Sequence, residues 1–266
     1  MPEERIASIA VTRVARDSVI RNNDVLAVEE PLEIRVAFEE REKNISVTMR
    51  TPGDDFDLAA GFLFTEGLIR SATDIDSIRH WGSPNVVRVA LRVPLDSSRL
   101  DRHFYTTSSC GVCGKTSIDA IRVPGVAPTV VPVRPSQELV HRLPQLLQQH
   151  QSAFQATGGL HGAALFTIDG ALLRIREDIG RHNAVDKVLG SLFRDGATPL
   201  RDSVMMVSSR ASFELVQKAI VAGVPAMATV GAPSTLAVEL AREFSLTLLG
   251  FVREGRFNIY SGDVTS

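Results

Sequence analysis

The segments SVMMVS (203–208), VPAMATV (224–230) and LTLLGFV (246–252) decide the fold of this chain. Each is short and apolar almost throughout, which is typical of a strand that is buried on both faces. The stretches between them, roughly 209–222 and 233–244, predict helices. Strands that alternate with helices in this way pair in parallel, with the helices covering the sheet. We therefore expect an α/β domain in the last third of the chain.

Ligands of such sheets bind beyond the carboxyl ends of the strands. Three loops leave the predicted strands at this edge, at residues 208–212, 231–235 and 251–256. The first two open helices, whose free N–H groups favour an anion, and the third carries Arg253 and Arg256. This pattern is typical of a phosphate or nucleotide site, although ordinary helix caps with surface arginines would produce it too. The absence of a Walker A motif and of GxGxxG excludes a P-loop and a classical dinucleotide-binding fold.

The residues just before this domain core predict two helices and a hairpin. Residues 136–156 have a helical pattern, and we expect Pro144 to break or restart the helix. LHGAALFTI (160–168) and ALLRIR (171–176) predict two strands joined by the tight turn Asp169-Gly170. We expect Asp178 to cap the helix that follows.

The N-terminal part of the chain is predicted to be rich in β-structure. Residues 6–51 and 86–93 contain alternating apolar and polar positions. Asp54 or Asp55 is expected to cap a helix that ends near Gly67. Overall we predict a mixed α/β (α+β) protein with two domains. The two domains are a smaller β-rich domain (1–120) and an α/β domain with a mostly parallel sheet (136–266), and a proline-rich crossing (121–135) joins them.

Composition excludes several classes of protein. The chain of 266 residues carries 29 basic and 31 acidic side chains, so no general nucleic-acid footprint is expected. No apolar run reaches the length of a transmembrane helix, and the N-terminus lacks the build of a signal peptide. Because there are only two cysteines, a disulfide scaffold is not expected. We predict a cytoplasmic protein with no membrane partner.

Both cysteines lie in Ser108-Ser109-Cys110-Gly111-Val112-Cys113-Gly114-Lys115. The C-x-x-C spacing often lowers the pKa of one thiol and so favours a reactive thiolate. Such a pair can cycle between dithiol and disulfide, supply half of a zinc site, carry a transferable sulfur as a persulfide, or be inert. Spacing alone leaves these four possibilities open.

A second dense group of polar residues is Glu177–Lys187. Its members Arg181, His182, Asp186 and Lys187 could line an anionic ligand, or they could simply form a helix N-terminus with acidic caps. A Cys₂His₂ zinc site from Cys110, Cys113, His161 and one of His103 or His182 is also conceivable. Zinc-dependent base deamination is excluded, because His161-Gly162-Ala163 lacks the required Glu and the cysteine pair precedes the histidine.

Taken together, these motifs resemble those of the formate dehydrogenase accessory sulfurtransferases, the sulfur carriers of molybdenum-cofactor maturation. The resemblance runs through most of the chain, in TPGDDFDLAAGFLFTEGL (51–68), SSCGVCGK (108–115), TGGLHGAALF (157–166), EDIGRHNAVDKVLG (177–190), SSRASFELVQKA (208–219) and GFVREGRFNIYSG (250–262). The family often has Ala where this chain has Gly162, a difference from which we expect no functional consequence. The resemblance implies a cytidine-deaminase-like fold in the second half of the chain and a homodimer.

The resemblance also implies a reaction. Family members take persulfide sulfur from a cysteine desulfurase and pass it to the bis(molybdopterin guanine dinucleotide) form of the molybdenum cofactor, before insertion into formate dehydrogenase. It places the persulfide on Cys110, with Cys113 as an accessory thiol. No permanently bound cofactor or metal is expected. The alternative is a non-catalytic chaperone of the cofactor, in which the cysteine pair is structural or binds zinc.

The F-x-R-x-x-R segment of the family binds the guanine dinucleotide cofactor. In this chain the matching residues are Phe251, Val252, Arg253, Glu254, Gly255 and Arg256. We further expect help from two neighbouring segments, through Arg181, His182, Asp186, Lys187, Ser209 and Arg210.

Overall fold

The computed structural model describes residues 4–94 and 133–266. Its strands are β1 Ile6–Ala15, β2 Ser18–Ala27, β3 Glu30–Phe38, β4 Arg41–Arg50, β5 Ile75–His80, β6 Val86–Leu91, β7 His161–Thr167, β8 Leu172–Asp178, β9 Ser203–Val207, β10 Ala226–Thr229, β11 Thr247–Arg253 and β12 Arg256–Ser261. Its α-helices are α1 Asp55–Thr65, α2 Gln137–Gln149, α3 Ser152–Thr157, α4 Arg181–Arg194, α5 Phe213–Val221 and α6 Thr235–Glu243, and a short 3₁₀ helix spans Ala72–Asp74. None of the helices in these two ranges is both long and apolar enough to cross a bilayer.

The six-stranded sheet of the second half has the order β12-β11-β10-β9-β7-β8. Strands β9, β10 and β11 are parallel, with Ala226 paired to Val204 on one side and to Thr247 on the other. The hairpin β7–β8 and strand β12 join this centre in antiparallel fashion. The predicted parallel α/β arrangement of the last third is confirmed.

Alternating side chains of the sheet supply two apolar layers. Met205 and Val207 of β9 pack into a large cluster with helices α4, α5 and α6. Val204 and Met206, which point the other way, pack against α2 in a second cluster. The sheet is therefore covered by helices on both faces, and its strand ends are the accessible edges.

Helix α2 continues through Pro144, so the predicted break at this residue is wrong. Proline removes one backbone hydrogen bond and normally kinks a helix. Here Val140 and Leu143 before the proline and Leu147 after it are all buried against the sheet. Packing on both sides of the proline holds the helix together, and the chain turns only at His150.

The N-terminal part forms a four-stranded sheet of order β4-β3-β6-β5, together with a separate two-stranded hairpin of β1 and β2. The predicted β-structure of this part is confirmed. Buried residues of the four-stranded sheet and of α1 belong to the same apolar cluster as α4 and the six-stranded sheet. The proposed crossing at 121–135 lies almost wholly outside the described residues, so the domain boundaries stay a prediction.

Helices α1 and α4 cross in backbone contact. A Cβ at Gly61 would lie 1.9 Å from the carbonyl oxygen of Asp186, and one at Gly190 would lie 1.9 Å from the carbonyl oxygen of Asp57. Only glycine permits so close an approach. This crossing fixes the N-terminal sheet against the six-stranded sheet.

None of the three aspartates predicted to cap a helix does so through its side chain. Asp55 is the first residue of α1 and pairs with the buried Arg50. Asp54 precedes α1 in a left-handed conformation (φ 57°) without a side-chain cap, and its carboxylate instead pairs with Arg5 and Arg176. Asp178 ends strand β8, fully buried, whereas helix α4 begins at Arg181. The carboxylates of Asp54 and Asp178 bind partners from distant parts of the chain, and local sequence gives no sign of those partners.

Candidate functional site

The three predicted loops lie side by side at the carboxyl edge of the parallel strands. The Gly231 amide donates to the carbonyl oxygen of Ser209 at 3.1 Å, and the Phe251 amide donates to the carbonyl oxygen of Gly231 at 3.1 Å. The third segment is a hairpin rather than a loop, because β11 extends to Arg253 and β12 begins at Arg256. The proximity predicted from strand order is therefore correct.

A cavity of about 620 Å³ opens beside this edge. Its walls come from α2, α3, the start of β7 and the ends of β9, β10 and β11. The apolar lining is provided by Pro144, Leu147, Phe154, Leu160, Val230 and Val252, and the polar lining by Gln148, Gln151, His161, Ser208, Arg253 and Glu254. A mostly apolar cavity with a few polar groups is typical of a site for a small organic ligand.

His161 is held at the cavity wall by Ser208. The Ser208 hydroxyl oxygen accepts a hydrogen bond from the Gly162 amide at 3.0 Å and lies 3.5 Å from His161 Nδ1. Burial, followed by the positive charge of Arg181, lowers the pKa of His161 below its ordinary value, and Asp178 opposes this only in part. The imidazole is therefore neutral near pH 7.

Gln151 is a buried polar residue of the same wall. Its side chain is 4% exposed, and within residues 4–94 and 133–266 its amide nitrogen has no hydrogen-bond partner. A Cβ at Gly162 would come within 2.4 Å of this nitrogen, so the amide group occupies the space that the glycine leaves. An unsatisfied buried amide costs about 1–3 kcal/mol, which a ligand can recover by bonding to it.

The hairpin 251–256 forms one border of the cavity. Val252 is fully buried, while Phe251, Arg253, Glu254, Gly255 and Arg256 are exposed. The carbonyl oxygen of Arg253 lies 3.3 Å from His141 Nδ1, and His141 packs at 5.1 Å on the ring of Phe257. The backbone of the hairpin is thus anchored to α2, and the side chains of its two arginines are exposed, where they can meet an anion.

Of the residues predicted in 181–187, Arg181 and His182 lie near this edge. Arg181 is partly exposed and close enough to His161 for its charge to act on the imidazole. His182 is buried, with its Nε2 3.2 Å from a Glu214 carboxylate oxygen and 3.4 Å from the Ser212 hydroxyl. His182 therefore contacts the 208–212 segment, through Ser212, from the buried side.

Asp186 and Lys187 are buried in the protein interior and are not among the described residues that line the cavity, so the structure gives no support to the expectation that they line a ligand. Lys187 is fully buried and binds Asp178 at 2.7 Å and the carbonyl oxygen of Thr51 at 2.8 Å. Asp186 accepts from Lys218 and from Thr65, each at 2.8–2.9 Å. Both side chains join α4 to the N-terminal part of the molecule.

Lys218 is a charged core residue for which the sequence offered no signal. Burial disfavours its charge, but Asp186, Glu66 and Glu214 together outweigh that cost and raise the pKa of the ammonium. Lys218 therefore stays protonated at every physiological pH. The sequence around Lys218 gives no sign that this side chain is buried, so only the fold shows its role.

The 208–212 segment supplies fewer free donors than predicted. Ser209 is buried and donates to the carbonyl oxygen of Arg210, whereas the Arg210 side chain is exposed. Ser212 accepts from the Leu215 amide and so caps α5, and Ser234 caps α6 in the same manner. One N–H group of each helix is thereby already satisfied.

Cys110 and Cys113 lie outside the described residues. Among the residues that are described, no group of three or more His, Cys, Asp or Glu side chains is arranged to hold a metal ion.

Sequence reasoning missed most of the cavity wall. Gln151 and Phe154 lie about a hundred positions before the hairpin, in a segment whose pattern predicts only a helix. The sequence predicts Ser208 only as a loop residue and His161 only as one possible zinc ligand. A signal did exist for His161, because it ends the Gly-Gly-x-His stretch that carries part of the family resemblance.

Comparison with known proteins identifies the family. The family model described as FdhD/NarQ matches residues 27–265. The chain belongs to the FdhD/NarQ family. Relatives named sulfur carrier protein FdhD include that of Streptomyces avermitilis, which is 48% identical over 95% of this chain and 93% of its own length. Those of Mycobacterium tuberculosis and Saccharolobus solfataricus are 46% and 40% identical and likewise match over more than nine-tenths of both chains.

A solved structure has the same fold. The crystal structure of a candidate formate dehydrogenase accessory protein from Desulfotalea psychrophila superimposes with a TM-score of 0.74 and covers 97% of each chain. At 24% sequence identity this comparison establishes the fold alone. The family membership predicted from the sequence motifs is confirmed, and so is the mixed α/β fold class.

Proposed function

We propose that this protein is a sulfurtransferase of the persulfide-carrier type. It accepts sulfur from a cysteine desulfurase and passes it to the bis(molybdopterin guanine dinucleotide) molybdenum cofactor, which a formate dehydrogenase then receives. The observation that carries the proposal is the match, over nearly the whole chain, to relatives named sulfur carrier protein FdhD. A sulfur carrier of this kind needs a thiol, and Cys110 and Cys113 are the only two in the sequence.

In the proposed loading step, the Cys110 thiolate attacks the outer sulfur of the desulfurase persulfide. A new S–S bond forms on Cys110, the S–S bond of the donor breaks, and the donor cysteine leaves as a thiolate. No external oxidant or reductant is needed, because the sulfane sulfur moves with its oxidation state unchanged. Lys115, two residues after Cys113, adds a positive charge to a segment that must stabilise a thiolate.

We assign the release of the sulfur to Cys113. Its thiolate attacks the inner sulfur of the Cys110 persulfide, which forms a Cys110–Cys113 disulfide and expels hydrosulfide as the transferred sulfur. The two thiols supply the two electrons that reduce sulfane sulfur to sulfide. A dithiol reductant then restores the pair for the next cycle.

The acceptor is a substrate of this reaction, and the cavity with hairpin 251–256 is the region that we propose for it. The cavity of about 620 Å³ is large enough for one nucleoside moiety. Arg253 lines the cavity and Arg256 is an exposed residue of the same hairpin, and guanidinium groups can pair with pyrophosphate oxygens. Arg181 and Arg210 add positive charge along the same edge, whereas Asp186 and Lys187 take no part.

A cofactor chaperone remains the second candidate. Residues of α2, α3 and the strand ends already provide apolar and polar lining for the cavity, so the protein could hold the cofactor even if the cysteine pair were structural or bound zinc. The two candidates differ in the content of the purified protein. A carrier holds labile sulfur on a cysteine, and a chaperone of this type holds stoichiometric zinc or an inert pair. For either one we propose a cytoplasmic homodimer.

The proposal is tested by complementation of a strain that lacks the native protein. Cys110→Ala should abolish formate dehydrogenase activity, and Cys113→Ala should lower it, while both variants accumulate as folded protein. The control is Arg92→Ala, which alters an exposed residue that is not part of the described cavity lining. Full activity of the Cys110→Ala variant would refute sulfur carriage on that residue.

A further inference from the structure

His161 has one ring nitrogen engaged and one free. Its Nδ1 faces the hydroxyl of Ser208 at 3.5 Å. For Nε2, no partner exists in the described part of the chain, and the ring lines the cavity. The imidazole therefore presents Nε2 to whatever occupies the cavity.

The surroundings of Ser208 favour one of the two ring nitrogens of His161 as the site of its proton. The Ser208 oxygen already accepts from the Gly162 amide at 3.0 Å, and the Ser208 amide donates to the carbonyl oxygen of Gly162 at 3.0 Å. The hydroxyl proton finds no acceptor other than His161 Nδ1 in the parts of the chain that the structure covers. A neutral imidazole that accepts at Nδ1 must carry its proton on Nε2. With the Ser208 hydroxyl as the donor to Nδ1, His161 presents an N–H group to the cavity.

Gln151 provides the second polar contact of the wall. Its amide is buried, and its nitrogen lacks a partner within residues 4–94 and 133–266. A glutamine amide offers both a donor and an acceptor, and rotation by half a turn exchanges them. Gln151 can therefore bind a ligand group that is either a hydrogen-bond donor or an acceptor. The N–H group of His161 can bind only an acceptor.

Purine bases differ in this very respect. A guanine presents a carbonyl acceptor at position 6, and an adenine presents an amino donor there. The apolar walls formed by Leu147, Phe154, Val230 and Val252 suit the faces of a flat ring. A donor on the wall matches the 6-oxo group and leaves an amino group facing another donor.

We propose that His161, oriented by Ser208, donates from Nε2 to the 6-oxo group of a purine base in the cavity and so selects guanine over adenine nucleotides. This inference rests on the proposed function, which brings a guanine dinucleotide to this edge, and it adds the residue that reads the base. Ser208 is a positioning residue, and Gln151 binds the base without discriminating.

The test is calorimetric titration of the full-length protein with GDP, IDP and ADP. IDP keeps the 6-oxo group and lacks the 2-amino group. We expect GDP and IDP to bind about ten-fold more tightly than ADP, since a site built to bond one polar group rejects a ligand that lacks it. His161→Phe, which keeps an aromatic ring and removes the donor, should erase this preference. Ser208→Ala should reduce the preference while the affinity for GDP changes less, because the imidazole can then adopt either tautomer.

Two further variants separate the inference from the proposed function. His150→Phe alters an exposed histidine that does not line the cavity and should keep the preference for GDP. The double variant Arg253→Ala, Arg256→Ala should weaken the binding of all three nucleotides to the same extent. If that double variant behaves so but His161→Phe retains the native preference, the inference is overturned and the cofactor site stands. If neither GDP nor ADP binds the native protein, both the inference and the proposed cofactor site are overturned, while persulfide formation on Cys110 remains a separate measurement. Thermal melting curves show whether each variant is folded.

Discussion

His161 couples the cavity to pH. Burial and the charge of Arg181 lower the pKa of this histidine in the folded state below the ordinary value of 6.5. Between the lowered and the ordinary pKa, the unfolded chain binds a proton that the folded chain does not. Acid therefore favours unfolding as the pH falls through this window, and the associated stability is fully present above it.

The first prediction follows from this linkage. The free energy of unfolding of the native protein should fall from about pH 8 to about pH 5.5 by more than that of His161→Phe. Urea denaturation at the two pH values measures both changes. The same pH dependence in both proteins would show that the folded protein does not disfavour protonation of His161.

At the same scale, single buried charges hold the two halves of the molecule together. Lys187 and Asp178 pair at 2.7 Å with both side chains fully buried. Asp178 also accepts from the amides of Thr51 and Gly180, and Lys187 also binds the carbonyl oxygen of Thr51. Both charged groups of this pair have hydrogen-bond partners in the interior, which makes the loss of one partner costly.

The second prediction concerns this pair. Lys187→Met should lower the free energy of unfolding by about 3–5 kcal/mol, because it leaves the Asp178 carboxylate buried without its cation. The control is Arg92→Gln, which breaks an exposed pair with Asp76 and should cost about 0–1 kcal/mol. Chemical denaturation measures both variants. Similar costs for the two would contradict the structural role of Lys187.

At the scale of elements, the crossing of α1 and α4 depends on two glycines. Gly61 and Gly190 let the helix backbones touch. The crossing also aligns Asp57 with Arg176 at 2.8 Å and Thr65 with Asp186 at 2.8 Å. A methyl group in this contact separates the helices and stretches those bonds together.

The third prediction is that Gly61→Ala destabilises the protein by about 3 kcal/mol or more, since overpacking and the lost bonds add. Gly159→Ala is the matched control, because a Cβ there would meet its nearest neighbour at an ordinary 3.8 Å. Its cost should stay within about 0.5 kcal/mol. Thermal or urea unfolding compares the two variants, and an equally mild effect of Gly61→Ala would mean that the helices can move apart freely.

The sequence predicts elements better than it predicts their partners. The apolar segments at 203–208, 224–230 and 246–252 become parallel strands because their pattern allows little else. The predicted helix break at Pro144 is wrong because tertiary packing on α2 outweighs the local cost of a proline. Asp178 and Lys187 mislead because their partner Thr51 lies more than a hundred residues away. Only the fold shows that these charges face each other.

The candidate site follows the same rule. The carboxyl edge of the sheet is predictable from strand order, and the hairpin 251–256 lies there. Gln151 and Ser208 are not predictable, since their importance comes from their positions around His161 and Gly162. Such positions depend on how α2 and α3 pack on the sheet.

At the scale of the whole molecule, the N-terminal sheet and the six-stranded sheet share one apolar cluster. Leu58 of α1 and Val188 of α4 are both buried in it. Trp81, the single tryptophan, follows strand β5 of the N-terminal sheet, whereas five of the six α-helices within residues 4–94 and 133–266 lie in the second half. Two spectroscopic signals therefore report on the two halves separately.

The fourth prediction is that tryptophan fluorescence and far-ultraviolet circular dichroism give coincident urea unfolding curves. A shared core and buried ion pairs across the contact make the two halves unfold as one unit. Separate transitions would show that the two halves are independently stable and that the contact between them does not couple their unfolding.

The central claim is that this protein carries sulfur on Cys110, and intact-mass spectrometry tests it most directly. The native protein and the variants Cys110→Ala and Cys113→Ala are incubated with a cysteine desulfurase and cysteine. The intact mass of each is then measured without a reducing agent. We predict the gain of one sulfur mass on the native protein and on Cys113→Ala, and no gain on Cys110→Ala. No gain on the native protein, together with one bound zinc, would contradict sulfur carriage and favour the cofactor chaperone.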